Sequence, residues 1–418
     1  MGEPRLRFKA DDGSEFPAWE EKTFWDVFAN LTNNTLSREC LNAESGQARN
    51  IHYGDVLVKY GVVVDVQRDG VPFVNPDVEC KRWDCLKDGD VVIADTAEDE
   101  TVGKAVEISN AGSDIVYSGL HTIACCPKEE FAPGYLGNYI NSMSYHDQLR
   151  PYMQGIKVTS VSKTNIGLTH LLVPTLPEQR KISDCLSAVD AVIAAQQAEV
   201  DAWEQRKKGV MQKLFSQEVR FKADDGSDFP AWEEKVTEQL CLRMIGGGTP
   251  STDDPSNYDG ETSWISSSDL DENDIYTIRR TRFITDEAIS NSATKRVKAN
   301  SIVVVLRVGV GKVAISRCET CTSQDFISLE DVQGDICFIA YMLSEAMRRE
   351  ALQTQGTSIK GVTSKRFRSL VHMMPASIDE QRKIADCLSS MDEVIQKSKD
   401  ELAKWQELKK GLLQQMFV

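Results

Sequence analysis

The sequence predicts a mixed α/β protein of the α+β kind, in which one arrangement is built twice. Two globular variable domains are separated by two long antiparallel helices that resemble a coiled coil. Three observations predict this class. Two blocks of sequence recur in the same order, a long helical pattern follows each variable region, and the variable regions contain short β-like runs between turn residues. Such a tandem repeat is typical of a molecule with pseudo-two-fold symmetry.

The short block is the clearest repeat. Residues 8–22 read FKADDGSEFPAWEEK and residues 221–235 read FKADDGSDFPAWEEK, so that only Glu15 and Asp228 differ. We therefore assign residues 1–22 and 217–235 as two copies of one N-terminal block.

The second repeat is a long helix, predicted over residues 177–216 and again over residues 378–418. Residues 178–215 and 380–417 share 19 of 38 positions, and apolar residues recur at alternating spacings of three and four. This spacing is the pattern of a left-handed helix seam. The residues assigned to helix packing are Ile182, Leu186, Val189, Ile193 and Trp203 in the first copy and Ile384, Leu388, Met391, Ile395 and Trp405 in the second. The alternative is that each amphipathic helix packs on its own domain.

The repeat also predicts where the ends of the chain lie. After the first helix the chain runs directly into the second short block, so that block should dock beside Phe215. A pseudo-two-fold axis makes the helices antiparallel. It places the first short block beside the end of the second helix, near Phe417.

The two variable regions, residues 23–176 and 236–377, differ in sequence from each other. Runs such as DVVIA at residues 90–94 and SIVVVL at 301–306 are rich in β-branched residues and are bounded by Gly, Asp or Asn. These features predict strands. Duplicated blocks with divergent regions between them indicate one shared task for the blocks and two different tasks for the variable regions.

Composition narrows the class of protein. The formal charge of −16 argues against a generally cationic nucleic-acid binder, although local basic patches remain possible. The 11 cysteines are scattered, which favours reduced thiols over a disulfide framework. No apolar run approaches the roughly 20 residues of a membrane-spanning helix, and the first ten residues are polar. We expect a cytoplasmic protein without a membrane partner.

Known catalytic motifs are missing from the sequence. The GGGTP run at residues 246–250 lacks the Lys-Ser/Thr of a phosphate-binding loop. Cys318 and Cys321 form one CxxC with no second pair, which is too little for a structural zinc site. The sequence thus favours a binding protein with no catalytic residues, no metal and no cofactor of its own.

Basic residues interleaved with Ser and Thr occur at matching places in the two variable regions. Such side chains can bind phosphates and base edges, although a basic stretch can also be only a solvated surface. The candidate DNA-binding residues are Lys104, Lys157, Ser160, Lys163, Arg279, Arg282, Arg307, Lys312, Thr357, Lys360, Lys365 and Arg366.

A specific resemblance rests on the start of each long helix. The sequence PEQRKI at residues 177–182, repeated as DEQRKI at 379–384, resembles the specificity subunits of type I restriction-modification systems. Gly248-Thr-Pro250, Tyr258 and Trp264 resemble the opening of a target recognition domain in that family.

The resemblance implies that residues 23–176 and 236–377 are target recognition domains, each reading one half of a bipartite, asymmetric site in double-stranded DNA. It also implies two methyltransferase (modification) subunits and restriction (translocase) subunits as partners. S-adenosylmethionine, ATP and Mg are then expected on those partners. Two alternatives remain: a non-catalytic scaffold for protein interactions, and an enzyme whose site is assembled across the repeats.

Overall fold

The structure is a computed structural model that describes residues 4–80, 83–155, 158–354 and 361–417. The chain divides into two compact units. Unit 1 comprises Met1–Gln197 and Asp400–Val418, and unit 2 comprises Ala198–Lys399. Each unit contains one short block, one variable region and parts of both long helices.

Unit 1 contains strands β1 (Glu20–Thr23), β2 (Phe28–Leu31), β3 (Leu41–Asn42), β4 (Arg49–Ile51), β5 (Val63–Asp65), β6 (Phe73–Val74), β7 (Val91–Ala94), β8 (Thr96–Ala97), β9 (Ala105–Ser109), β10 (Val116–Ser118), β11 (Thr122–Pro127), β12 (Thr159–Ser160) and β13 (His170–Val173). Its short helices are α1 (Phe24–Val27), α2 (Tyr53–Val58), α3 (Tyr135–Ile140), α4 (Met143–Leu149) and α5 (Lys163–Ile166). The long helix α6 (Leu176–Phe215) begins in this unit.

Unit 2 contains strands β14 (Trp232–Val236), β15 (Cys241–Gly246), β16 (Thr262–Ile265), β17 (Phe283–Ile284), β18 (Arg296–Val297), β19 (Ser301–Val305), β20 (Val313–Ser316), β21 (Thr320–Thr322), β22 (Phe326–Val332) and β23 (Val371–Pro375). Its helices are α7 (Asp286–Ser290), α8 (Ile336–Thr354) and α9 (Ser364–Arg368), and the long helix α10 (Ile378–Met416) begins here.

The main sheets of the two variable regions have four strands in common. The main sheet of unit 1 has the order β2-β11-β7-β9-β5, and that of unit 2 has the order β15-β22-β19-β20. The first four strands correspond one to one, and in both sheets they pair antiparallel. A second sheet in each unit contains one parallel pair, β4·β10 or β16·β21. The common topology shows that the divergent sequences keep one fold.

The central strands are buried because their side chains are apolar on both faces. Every residue of β7 and of β19 is buried. In unit 2, Ile302 and Val304 face a core that also contains α8 and the start of α10, while Val303 and Val305 face a smaller cluster. A strand covered on both faces is expected to be a continuous apolar run.

The end of α10 completes the core of unit 1. The Phe417 ring lies 5.2 Å from Tyr139 and 5.8 Å from Tyr135, measured between ring centroids. The Leu6 amide donates to the Gln415 carbonyl at 3.0 Å, and Phe8 packs against the same cluster. The predicted docking of the first short block beside the second helix is therefore confirmed.

The two long helices are antiparallel within each unit. In unit 2 Lys207 pairs with Asp392 and Glu204 pairs with Lys399 at 2.6 Å, so that residue numbers fall along α6 as they rise along α10. The mixed α/β class and the two long helices are confirmed.

Candidate functional site

The repeated sequence holds a buried carboxylate in unit 1. Glu178 lies in the first turn of α6 and is 0% exposed. Arg7 donates to its two carboxylate oxygens at 3.0 and 2.8 Å, and the Trp19 indole donates at 3.1 Å. Arg7 also donates to the Pro17 carbonyl at 2.6 Å. The short block is thereby fixed to the start of the helix.

Unit 2 repeats this arrangement almost atom for atom. Arg220 donates to the buried Glu380 carboxylate at 3.0 and 2.8 Å, and Trp232 donates at 3.1 Å. Arg220 also donates to the Pro230 carbonyl at 2.7 Å. We call these two groups the Arg–Glu–Trp clamps. They join β1 and β14, whose partners are β13 and β23, to the long helices.

The glutamine next to each clamp connects the helix to the variable region. Gln179 donates to the Pro174 carbonyl at 2.9 Å and accepts from the Ala132 amide at 3.0 Å. Gln381 donates to the Pro375 carbonyl at 2.9 Å and accepts from the Asp335 amide at 2.9 Å. The EQ pair of the repeated motif thus has a positioning role in both units.

Matched ion pairs join the helices. Lys207 is buried and pairs with Asp392, and the corresponding Lys409 pairs with Asp190 at 2.6 Å. The Tyr341 hydroxyl donates to Asp392 at 2.5 Å. Burial, followed by the Asp392 charge, raises the pKa of this hydroxyl, which keeps it protonated as a donor.

The residues assigned to helix packing lie at the predicted buried positions or close to them. Ile182, Leu186, Val189, Ile384, Leu388, Met391 and Ile395 are buried, while Ile193, Trp203 and Trp405 are half-buried. Ile182 and Leu186 belong to the core of unit 1, and Ile384 and Leu388 to that of unit 2. The start of each helix therefore packs on its own domain as well, which was the alternative prediction.

Three candidate DNA-binding residues, Lys157, Thr357 and Lys360, lie outside the described residues. Lys104 and Lys312 each end a Val-Gly-Lys sequence, at residues 102–104 and 310–312, but their ammonium groups have different partners. The Lys104 ammonium group donates to the Leu57 and Tyr60 carbonyls at 2.9 and 3.1 Å. Burial lowers the pKa of Lys104. In this conformation the Lys104 ammonium group bonds to backbone carbonyls of the protein itself.

Four further candidates have partners within unit 2. Arg279 makes a bidentate pair with Asp271 at 2.7 and 2.8 Å, and Arg366 makes one with Glu350 at 3.0 and 2.8 Å. Arg282 pairs with Asp269 at 2.5 Å and lies over the Trp264 ring. Lys312 donates to the Ser267 carbonyl at 3.0 Å. Their assignment to DNA stays a prediction.

The remaining four candidates are more open. Arg307 and Lys365 are exposed, Ser160 is exposed at the end of β12, and Lys163 is half-buried at the start of α5. Among the described side chains, neither Arg307 nor Lys365 has an ion-pair partner. Arg307 pairs with Gly361 through the backbone, which brings its loop beside the segment leading to α9.

A buried histidine beside the second clamp was not singled out by the sequence analysis. His372 on β23 is 5% exposed, and its Nε2 lies 2.7 Å from the Thr237 hydroxyl. Burial, and next the charge of Arg349, lowers the pKa of His372 to about 4. Its imidazole is therefore neutral near pH 7.

The described part of the chain gives little support for a metal site, a site for a ligand of one charge, or a membrane-spanning helix. No group of three or more His, Cys, Asp or Glu side chains there could hold a metal ion. A cavity of about 970 Å³ in unit 2, beside Lys207 and Tyr341, is lined by both cations and carboxylates, which singles out no ligand charge. None of the helices described is long and apolar enough to cross a membrane.

Comparison with known proteins shows which proteins this chain is similar to. Residues 231–404 match the model of the family described as the type I restriction modification DNA specificity domain. The chain is similar to the specificity subunits of type I restriction-modification systems. A Methanocaldococcus jannaschii protein, provisionally named the type I restriction enzyme MjaX specificity subunit, is 23% identical over 97% of this chain and 94% of its own length. The type I restriction enzyme EcoR124I/EcoR124II specificity subunit of Escherichia coli is 29% identical over 36% of this chain and 38% of its own.

Solved structures share the fold of this chain. The type I restriction-modification S subunit from M. genitalium covers 100% of this chain and 99% of its own, with a TM-score of 0.56 and 12% identity. A chain from a study of complex assembly and conformational transition in the type I R-M system covers 96% of this chain and 98% of its own, with a TM-score of 0.59 and 15% identity.

Proposed function

We propose that this chain is a specificity subunit that reads a bipartite, asymmetric site in double-stranded DNA, with one half-site for the variable region of each unit. It would assemble with two modification subunits and with restriction subunits. It would itself carry out no methylation, cleavage or ATP hydrolysis, and S-adenosylmethionine, ATP and Mg would bind to those partners.

The observation that carries the proposal is that the two units share their clamps and four strands of their main sheets, but differ in the loops between those strands. The Arg–Glu–Trp clamps agree to within 0.1 Å in their corresponding Arg–Glu and Trp–Glu distances, 3.0, 2.8 and 3.1 Å in each unit. The four strands that the main sheets have in common follow the same order. The loops on those sheets differ in length, sequence and charge. A fixed frame with variable loops suits a protein that presents two different reading surfaces in one geometry.

The charge of the variable regions supports nucleic acid as the ligand. The chain carries a formal charge of −16, yet Arg307 and Lys365 are exposed in unit 2 without an acidic partner among the described side chains. Exposed cations attract phosphates, while the acidic remainder of the chain disfavours indiscriminate binding.

The repeated short blocks support two copies of one partner. Both blocks present the same exposed acidic turn, in which Asp11 pairs with Lys181 and Asp224 with Lys383, each at 2.5 Å. Surfaces that occur twice on one chain can bind two identical subunits in equivalent ways.

Sequencing of methylated sites in the source genome, with and without this gene, tests the proposal. A bipartite methylated motif should disappear when the gene is deleted and return with the gene. A measurement on the purified complex separates the alternatives, since DNA binding should weaken steeply with salt. If the methylated sites do not change, and the complex binds proteins but not DNA in a way that salt does not affect, the protein-interaction scaffold would be favoured. Methylation by the isolated chain would favour the enzyme.

A further inference from the structure

The hairpin between β19 and β20 in unit 2 ends in an exposed apolar residue. Val308 is 70% exposed at the tip of the turn formed by residues 306–311. The strands beneath it are fully buried, so the tip stands on a rigid base. The Val305 amide donates to the Lys312 carbonyl at 3.0 Å and closes the turn, and the Lys312 ammonium group anchors it to the Ser267 carbonyl.

The backbone at this tip is strained. Val308 has φ = +38°, a region that β-branched residues rarely adopt. The other non-glycine residues with positive φ in the described part of the chain are Asn, Asp, His or Gln. Glycine would remove both the strain and the apolar exposure, and Gly309 and Gly311 already occupy this turn. Strain of this kind is concentrated at functional sites.

The corresponding turn of unit 1 has a different design. Between β7 and β9, Val102 is fully buried, and Glu98, Asp99 and Glu100 form an exposed acidic tip. The shared fold therefore does not require an exposed valine beside an exposed arginine. Of these two corresponding turns, the one in unit 2 has that feature and the one in unit 1 does not.

We propose that Val308 is a specificity-determining residue of unit 2 that contacts the 5-methyl group of one thymine in the major groove, while Arg307 contacts an adjacent phosphate. This inference rests on the proposed DNA-reading function. The thymine methyl is the apolar feature of the major groove, and a small apolar side chain reads it by contact. A short branched side chain held on a closed turn suits this role. The neighbouring cation supplies affinity without sequence information.

Deoxyuridine scanning tests the inference. Once the methylated motif is known, each thymine of the half-site read by unit 2 is replaced by deoxyuridine in a duplex, and binding of the full complex is measured. Deoxyuridine lacks only the methyl group. One substitution should weaken wild-type binding by about fourfold, the effect of one buried methyl group. The Val308→Ala and Val308→Gly variants should bind the thymine and deoxyuridine duplexes equally, and Val308→Ile should keep the difference.

Controls separate this role from a structural one and from failure of the wider proposal. Val371→Ala removes another exposed valine of unit 2 and should leave the deoxyuridine response unchanged. Val308→Gly should unfold at the same temperature as wild type or higher, since it relieves strain. A half-site without A·T pairs, or a Val308→Ala variant with the wild-type response, overturns the role of Val308 while DNA reading stands. Absence of sequence-specific binding by the wild-type complex overturns the proposed function itself.

Discussion

Replacement of Arg7 by alanine should destabilise unit 1 strongly and leave unit 2 unchanged. The variant leaves the Glu178 carboxylate, which is 0% exposed, with the Trp19 indole as its remaining clamp donor. Removal of one partner from a buried ion pair costs about 3–5 kcal/mol because the other charge stays desolvated. At about 1.4 kcal/mol per factor of ten, local opening of unit 1 should rise roughly 10²- to 10⁴-fold.

Hydrogen exchange followed by mass spectrometry measures this effect unit by unit. Amides of β1, β13 and the last turns of α10 should exchange faster in Arg7→Ala, while those of β14 and β23 should not change. Arg220→Ala should show the reverse pattern. Lys9→Ala breaks the exposed Lys9–Glu15 pair and should have little effect.

A double variant identifies the cause. Arg7→Ala combined with Glu178→Gln removes the buried charge as well as its partner, so it should recover part of the lost protection. If the double variant exchanges as fast as Arg7→Ala, the unpaired charge is not the source of the instability. If Arg7→Ala exchanges like wild type, the clamp does not hold the block to the helix.

Three further predictions concern pH, salt and the chain ends. Since folding lowers the His372 pKa to about 4 from an ordinary 6.5, the unfolded state binds more protons between those values. The contribution of His372 to the stability of unit 2 should be nearly constant above pH 6.5 and fall by about 3 kcal/mol as the pH drops to 4. His372→Gln should flatten this dependence in acid-denaturation curves, and an unchanged curve would exclude His372 as its source. Alanine at Arg307 or Lys365 should reduce the salt slope of DNA binding by about one each. Lys104→Ala should instead lower stability at an unchanged slope; a salt slope that only Lys104→Ala reduces would reverse these assignments. Deletion of residues 1–22 should increase exchange at the end of α10, and wild-type protection there would contradict the docking of this block.

The repeat made most of the frame predictable from sequence. Identical blocks must make identical contacts, so two copies of one pattern predicted two equivalent structures and the docking of the first block near Phe417. The long helices followed from the 3-4 spacing of apolar residues, and the strands at residues 91–94 and 301–305 from runs of β-branched residues.

The clamp arginines were missed because the repeat was read from Phe8 and Phe221 onward. Arg7 and Arg220 immediately precede those residues, so extending the comparison by one position would have found them. The carboxylates of Glu178 and Glu380 were seen as part of a motif, but sequence gives no burial, and burial is what makes them important.

The candidate DNA contacts were harder to predict because charge in a sequence does not show where a side chain points. Lys104 and Lys312 occupy matching V-G-K sequences, yet one ammonium group bonds to the Leu57 and Tyr60 carbonyls and the other to the Ser267 carbonyl. Val308 carries no charge, and the glycine-containing stretch around it, residues 306–312, predicts only a turn between two strands. Its positive φ and its exposure are visible only in three dimensions.

The most direct test of the account is an exchange of one variable region. Residues 236–375 are replaced by the corresponding region of a specificity subunit with a different known target, which leaves both Arg–Glu–Trp clamps and both long helices intact. Methylated sites are then sequenced in cells that contain the modification partner. The account predicts that one half of the bipartite motif changes to that of the donor while the other half is retained. A motif that changes in both halves, or in neither, would contradict the claim that each unit reads its own half of the site.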